Sequence, residues 1–354
     1  MIPLLRRLAL ANIIANVAIV VTGGAVRLTG SGLGCPTWPR CTDASYVPNA
    51  EMGIHGVIEF SNRMLGWVVG VVALATLVVA FLHHRRERTA TSRGLSRLAL
   101  GVFLGIPAQG VVGGITVLTD LNPWVVGLHF LASMGVLVAA YALWRRSVDG
   151  RATRTVLPGP LRQLVQVLTA VSAAVIVLGV IVTGSGPHAG DADAHRTGLD
   201  PEIVAQFHAD VVFLLLGLSA AVWFAARATG SRRTARAALV LVAVELSQGV
   251  IGFVQYFTGL PEILVGLHML GACLVWLATL SLLWSTRGAH DGRREAVGGA
   301  AAGAEEERGL GELQLDQGGR AGVVGHQVDP RVEEPVAAAR HGVEGALGDG
   351  QLRG

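Results

Sequence analysis

The sequence predicts an all-α integral membrane protein, with eight transmembrane helices folded as two parallel four-helix-bundle repeats. Three observations carry that reading. Hydrophobic residues make up 51% of the chain and charged residues only 15%, with a mean hydropathy of +0.53, far more apolar than a soluble domain. Eight stretches are long and apolar enough to cross the hydrocarbon, which takes about 20 helical residues. The second half of the chain also echoes the first.

The spans fall roughly at 8–26, 54–82, 98–118, 124–144, 161–183, 203–226, 236–257 and 262–285. Arg6 and Arg7 precede the first, and no A-x-A site follows it, so it reads as a retained span and not as a cleaved signal. There is no lysine, and the arginines alternate from loop to loop. Arg85, Arg86, Arg88, Arg93 and Arg97 lie between spans 2 and 3; Arg145, Arg146, Arg151, Arg154 and Arg162 between 4 and 5; Arg227, Arg232, Arg233 and Arg236 between 6 and 7. The opposite loops hold only Arg27, Arg40 and Arg196. The positive-inside rule therefore expects a multi-pass protein of the cell membrane with both termini in the cytoplasm. The formal charge of +3 and pI of 9.1 then reflect topology and anionic lipid of the bilayer, with no nucleic acid as partner. Residues 287–354 are rich in Gly, Ala, Glu and Arg, with no aromatic residue after Trp284. They read as a disordered cytoplasmic tail, too poor in apolar surface to offset chain entropy.

The repeat is explicit. TGSG occurs at 29–32 and at 183–186, each time just after an apolar helix. QGVVGGITVLTDLNPWVVGLH at 109–129 is echoed by QGVIGFVQYFTGLPEILVGLH at 248–268, a constant offset of 248 − 109 = 139. This divides the chain into an N-terminal half, 1–146, a C-terminal half, 147–286, and the tail. Four spans return the chain to its starting side, so the halves are related by an axis along the membrane normal.

The repeat ends in His129 and His268, each about six residues into its helix, and His208 lies at a similar point in span 6. Counted from the next arginines, the separations are 145 − 129 = 16, 227 − 208 = 19 and 287 − 268 = 19. At about 1.5 Å per residue the three imidazoles lie within about one helical turn of a common depth. In span 2, IHGVIEFSNR puts His55, Glu59 and Asn62 on one helix face. Asn62 comes nearest to the depth of the histidines, and His55 sits about 10 Å further out. Paired neutral imidazoles on rigid helices suit a haem. The alternative for each is a polar residue bonding a neighbouring helix, which is common in membrane bundles. A bare zinc or copper ion fits less well, because no cysteine or carboxylate completes the set. Glu59 reads either as a carboxylate paired with Arg63, Arg27 or His55, or as a group that takes or gives a proton. Arg63 suits a haem propionate. Gln109, Gln248 and Glu245 read as interhelical hydrogen-bonding residues.

GSGLGCPTWPRCTD follows span 1, with Cys35 and Cys41 on the oxidising side, where a disulfide persists. The pair reads as a staple for a lid over the end of span 2, or as a labile redox pair. It is not a C-x-x-C-H site of covalent haem attachment. His188 and His195 read as solvated loop residues, and Cys273 as a small buried hydrophobe.

GSGLGCPTWPRC after span 1, IEFSNR opening span 2, and the two Gly-Leu-His entries resemble the bacterial haem A synthases over residues 8–285. The resemblance implies an eight-helix oxidoreductase that converts haem O to haem A for terminal oxidase assembly. The C8 methyl becomes a formyl group through successive hydroxylations and loss of water from a gem-diol. It further implies that His208 and His268 ligate the iron of a resident haem b, and that His129 ligates the iron of haem O as substrate. Glu59 would be the catalytic carboxylate, and Cys35 with Cys41 the loop disulfide. Haem O synthase and the oxidase assembly machinery would be its partners, and a homo-oligomer is compatible with it. The family motif reads Glu-x-x-His-Arg where this chain has Glu59, Asn62 and Arg63, so the first-half haem would have His129 as its one protein ligand. His55 would relay protons to Glu59 or contact a propionate. Two other classes compete: a two-haem b-type electron-transfer cytochrome, and a transporter or haem-handling scaffold. Glu59, the disulfide loop and the asymmetry between the halves favour the enzyme over the cytochrome. The transporter ranks last because the halves lack broken helices.

Overall fold

Backbone amides inside lipid have no water to bond, so an open chain crosses as helix. A computed structural model describes residues 1–150, 153–155 and 157–289, and it contains eight helices that meet this demand. They are α1 (Ile2–Leu28), α2 (Gly53–Glu87), α3 (Ala90–Leu118), α4 (Pro123–Asp149), α5 (Gly159–Ser185), α6 (Pro201–Ala228), α7 (Arg232–Phe257) and α8 (Glu262–Ser285). Each apolar stretch read from the sequence lies within one of them. The observed helices overrun most of those stretches because polar residues continue the helix past the hydrocarbon. At about 1.5 Å per residue, the 35 residues of α2 exceed a hydrocarbon core of about 30 Å.

Local chemistry sets the helix ends. Proline occupies the first turn of α1, α4, α5 and α6, where its missing N–H is no loss. Asn122 caps α4 through the Trp124 amide at 3.0 Å, and Asp200 caps α6 through the amides of Glu202 and Ile203. Thr89 and Ser92 form a reciprocal capping box at the start of α3.

The internal repeat extends to the turns. Helices α3 and α7 end at 118 and 257, and 257 − 118 = 139. In the first turn Asp120 and Leu121 adopt positive φ (50° and 56°), and in the second Gly259 and Leu260 do so (79° and 60°). The amide of Leu121 bonds the Thr116 carbonyl at 2.9 Å, and that of Leu260 bonds the Gln255 carbonyl at 2.7 Å. Every position in this turn is therefore displaced by 139. The two TGSG segments differ, contrary to the sequence reading. Residues 29–32 follow α1, whereas Thr183, Gly184 and Ser185 form the last turn of α5.

Within each half the helices close into a ring. In the first half, α1 packs on α2, α2 on α3, α3 on α4 and α4 on α1. The second ring runs α5, α6, α7, α8 and back to α5. The rings meet where α1 and α4 pack on α8 and α4 packs on α5. Trp276 of α8 donates its indole N–H to the Met134 carbonyl of α4 at 3.2 Å, and Trp284 donates to Asp149 at 2.6 Å. Cys273, Trp276, Leu280 and Trp284 of α8 belong to the buried core of the first half. At the end bearing the long loops, Arg27 donates to the carbonyls of His188 and, at 2.8 Å, Thr183. Thr153–Thr155 (β1) pairs antiparallel with Arg287–Ala289 (β2), a ribbon the sequence reading did not anticipate. The remainder of the sequence-defined tail, 290–354, lies outside the described residues.

Glycine permits close approach on both sides of the seam. A Cβ on Gly24 would lie 2.6 Å from the Met269 side chain, and one on Gly127 would lie 2.6 Å from Val180 Cγ1. Methionine can swing away, but β-branched valine is stiff. Gly127→Ala should therefore lower stability by about 1–3 kcal/mol through overpacking, whereas Gly24→Ala should change it far less. Thermal unfolding in detergent checks this, and Val180→Ala should restore the Gly127→Ala protein. Equal midpoints for the two glycine variants would refute it.

Candidate functional site: one cavity lined by three imidazoles

A cavity of about 1890 Å³ opens among the helices, and all eight contribute to its wall. Most of the exposed wall is apolar, with polar side chains set into it. His129, His208 and His268 are three of them. Measured from the observed helix starts, they lie 129 − 123 = 6, 208 − 201 = 7 and 268 − 262 = 6 residues inside α4, α6 and α8. Each ring is thus about 9–10 Å from its helix start. Among the described residues, none offers a hydrogen-bond partner to the buried Nδ1 of any of the three. Such groups cost free energy unless something bonds them. No group of three or more His, Cys, Asp or Glu among the described residues converges as a bare metal ion requires.

In the first half a loop and a carboxylate flank the cavity. Glu59 is 6% exposed and lines it. One carboxylate oxygen, Oε2, accepts the Cys35 amide at 2.6 Å, and the other accepts Arg63 Nε at 3.1 Å and Arg63 Nη2. Arg63 also donates to the carbonyls of Cys35 (3.0 Å), Thr37 (3.2 Å) and Arg40 (3.2 Å). Its guanidinium donors are therefore committed to Glu59 and to the loop carbonyls. Of the partners weighed for Glu59, Arg63 is the one observed. Arg27 bonds the opposite loop, and His55 bonds Ser31 Oγ at 2.8 Å.

Cys35 and Cys41 form a disulfide, both fully buried, and the segment between them lies against α3. Trp38 and Pro39 of this segment line the cavity. The Trp38 indole occupies the space where a Cβ on Gly114 would stand. The loop is thus a lid held at α2 by Arg63 and Glu59 and at α3 by Gly114.

Asn62 lines the cavity and its side-chain oxygen lies 2.8 Å from Thr22 Oγ1 of α1. His55 is exposed and is not part of the cavity wall. Glu245 accepts from Ser219 Oγ at 2.9 Å, joining α7 to α6, and Gln248 donates to the His268 carbonyl at 2.8 Å, joining α7 to α8. These are the interhelical bonds their sequence positions suggest, while Glu245 Oε2 and Gln248 Oε1 remain buried without a partner among the described residues and both side chains line the cavity. Gln109 also lines it and bonds nothing: both its amide atoms are buried without a partner among the described residues. His188 lies near Glu262, 3.9 Å away, and Cys273 is buried in the core away from the cavity. Sequence reasoning did not identify the roles of Trp38, Gly114 or the Arg63 carbonyl contacts. The proline-bounded TWP between two cysteines is the signal that could have marked the lid.

A family model described as "Cytochrome oxidase assembly protein" (COX15-CtaA) matches residues 6–192, or 187 of the 354 residues. A protein of Methylobacterium radiotolerans named haem A synthase is 30% identical over 207 residues, 49% of this chain and 54% of that protein. One of Symbiobacterium thermophilum with the same name is 30% identical over 157 residues, 44% of this chain and 48% of its own length. A third, from Azorhizobium caulinodans, is 26% identical over 317 residues, 75% of this chain and 88% of that protein. In the first two, the match spans about half the length of the relative.

If Arg63 holds the lid, Arg63→Gln should expose the bond after Arg40 to trypsin several-fold faster than in the unaltered protein. The nick is masked by the disulfide and appears only on a reducing gel. Equal cleavage rates would show that Arg63 does not hold the loop.

Proposed function

The chain belongs to the COX15-CtaA family of cytochrome oxidase assembly proteins, and on that premise we propose that it is a haem A synthase of the cell membrane. In this reading it oxidises the C8 methyl of haem O to a formyl group for terminal oxidase assembly. The observation that supports the reading is a large apolar cavity lined by three imidazoles that have no protein partner at Nδ1 among the described residues, with the buried carboxylate of Glu59 beside the lid. Side chains of this kind fit a haem: imidazole donors on rigid helices, apolar walls, and ample volume. Haem b, when bound, supplies one-electron redox chemistry.

His208 and His268 face the cavity from α6 and α8 and would hold haem b in the second half. His129 would hold haem O in the first. Asn62 stands where a second imidazole would complete that site, so His129 is the one histidine ligand there. Glu59 would then take protons released at the methyl carbon: it lines the cavity, and its Oε2, which accepts the Cys35 amide alone among the described residues, keeps a lone pair for that use. Arg63 and the Cys35 amide fix both carboxylate oxygens, so Glu59 is held in one orientation. Arg63, which also lines the cavity, is the residue weighed for a haem propionate, and in this structure its guanidinium bonds Glu59 and the loop carbonyls. The lid carrying Trp38 would keep water from the reacting carbon. The arginine-rich ends of the helices would face the cytoplasm, with the disulfide lid on the opposite side.

Separate variants test the two halves. His268→Ala should lose haem b from the purified protein. Glu59→Gln should keep the haem b spectrum while the cells accumulate haem O and make at least about a hundredfold less haem A, the scale of losing a general base. Normal haem A with Glu59→Gln would overturn the role of Glu59, and normal haem A in cells lacking the protein would favour an electron-transfer cytochrome.

A further inference from the structure

We infer that Gly113, Gly179 and Gly252 are positioning residues: each lacks a side chain so that one imidazole can lie against its helix and present its ring to the cavity. The glycine–ring pairs are found between successive helices. Gly113 of α3 faces His129 of α4, Gly179 of α5 faces His208 of α6, and Gly252 of α7 faces His268 of α8. A Cβ placed on these glycines would lie 3.4, 3.3 and 3.2 Å from the respective ring Cε1 atoms. The same unit recurs in the remaining pair, where Gly23 of α1 faces Asn62 of α2 with a Cβ-to-Nδ2 separation of 3.8 Å.

The glycines also share a height on their helices. They lie 28 − 23 = 5, 118 − 113 = 5, 185 − 179 = 6 and 257 − 252 = 5 residues before the ends of α1, α3, α5 and α7. Among the described residues, approach to an imidazole ring is specific to Gly113, Gly179 and Gly252: Gly110 of α3, Gly217 of α6 and Gly249 of α7 would meet no protein atom within 4 Å if given a Cβ, and Gly114 of α3 meets Trp38 instead. Gly249 and Gly252 lie one turn apart on one helix, yet only the second stands against a ring. At 3.8 Å a Cβ on Gly23 would make only an ordinary contact with Asn62, so the tighter approach belongs to the pairs that carry an imidazole.

The physical consequence is orientation. Carbon atoms attract best at about 3.5–4.0 Å, so a methyl group at Gly252 or Gly179 must displace the facing ring by a few tenths of an ångström. An imidazole can yield only by rotating about its two side-chain torsions, which turns Nε2 away from its present direction. The inference rests on the reading that His208 and His268 ligate haem b. Ring rotation of this kind alters the electronic structure of a bis-imidazole haem. Its rotamer cost corresponds to roughly two- to tenfold weaker haem retention.

The test uses the full chain purified in detergent, comparing the unaltered protein with Gly252→Ala, Gly179→Ala and, as a control off the cavity wall, Gly217→Ala. Low-temperature electron paramagnetic resonance of haem b, its midpoint potential and haem retention on dilution are measured together with thermal unfolding. Gly252→Ala and Gly179→Ala should shift the low-spin signal and the potential and retain haem roughly two- to tenfold less well. Their unfolding temperatures should not fall, because alanine is the better helix former. Gly217→Ala should match the unaltered protein. If all three variants share its spectrum and retention, the glycines position nothing. The two glycines lie on different helices, so failure of one variant to fold leaves the other to decide. Absence of haem b from the unaltered protein would instead remove the ligation reading, and this inference with it.

Discussion

A polar atom buried in a bilayer has no water to turn to, and that constraint organises this molecule. The backbone answers it with helix. Many buried polar side chains answer it with a neighbour, as Ser172 does with Thr279 and Asn16 with the Asn12 carbonyl. Among the described residues, His129, His208, His268, Gln109, Glu245, Gln248 and Gln255 each keep a buried atom without a partner, and all seven side chains face one cavity. Such a concentration of unanswered groups marks a place where something other than protein takes part in the bonding. An imidazole on such a wall can give a ring nitrogen to a haem iron.

The two halves show one frame used in two ways. The frame is the helix pair, repeated down to the paired left-handed turn residues at 120–121 and 259–260. On it the second half carries two imidazoles on the cavity wall, and the first half one imidazole, an amide bonded to Thr22 and a stapled lid. Each half sets a buried carboxylate into the wall, Glu59 in the first and Glu245 in the second, but Glu59 is the one bonded to the lid. An electron carrier gains nothing from that asymmetry. A site that must admit a substrate porphyrin, act at one of its methyl groups and release it has a use for each departure. The Arg63 network gives the lid its place: one guanidinium ties three loop carbonyls to the carboxylate that lines the cavity.

Much of this was legible in the sequence because it depends on period and register. Hydropathy reports each span, since lipid tests every turn of an isolated helix in the same way. The 139-residue offset survives into the turns because the same two left-handed residues must end α3 and α7. Histidine depth could be counted because helices rise regularly. Side-chain direction was a different matter. That Arg63 spends its donors on loop carbonyls, that the Gln248 amide nitrogen reaches the His268 carbonyl while neither amide atom of Gln109 finds a partner, and that His55 falls off the cavity wall all depend on how separate helices meet. The end of α5 also escaped, because nothing local to TGSG tells whether the helix stops before it or within it. The pairing of β1 with β2 joins segments 134 positions apart (287 − 153 = 134), beyond the reach of any local pattern.

The central claim is that the three imidazoles form the walls of two porphyrin slots within one cavity. A cryo-electron microscopy map of the purified protein in lipid nanodiscs tests it most directly. The account predicts two flat, iron-centred densities, one bridging His208 and His268 and one bonded to His129 with Asn62 on its far side. Acyl-chain density filling the cavity, with the three rings turned toward protein partners, would contradict it.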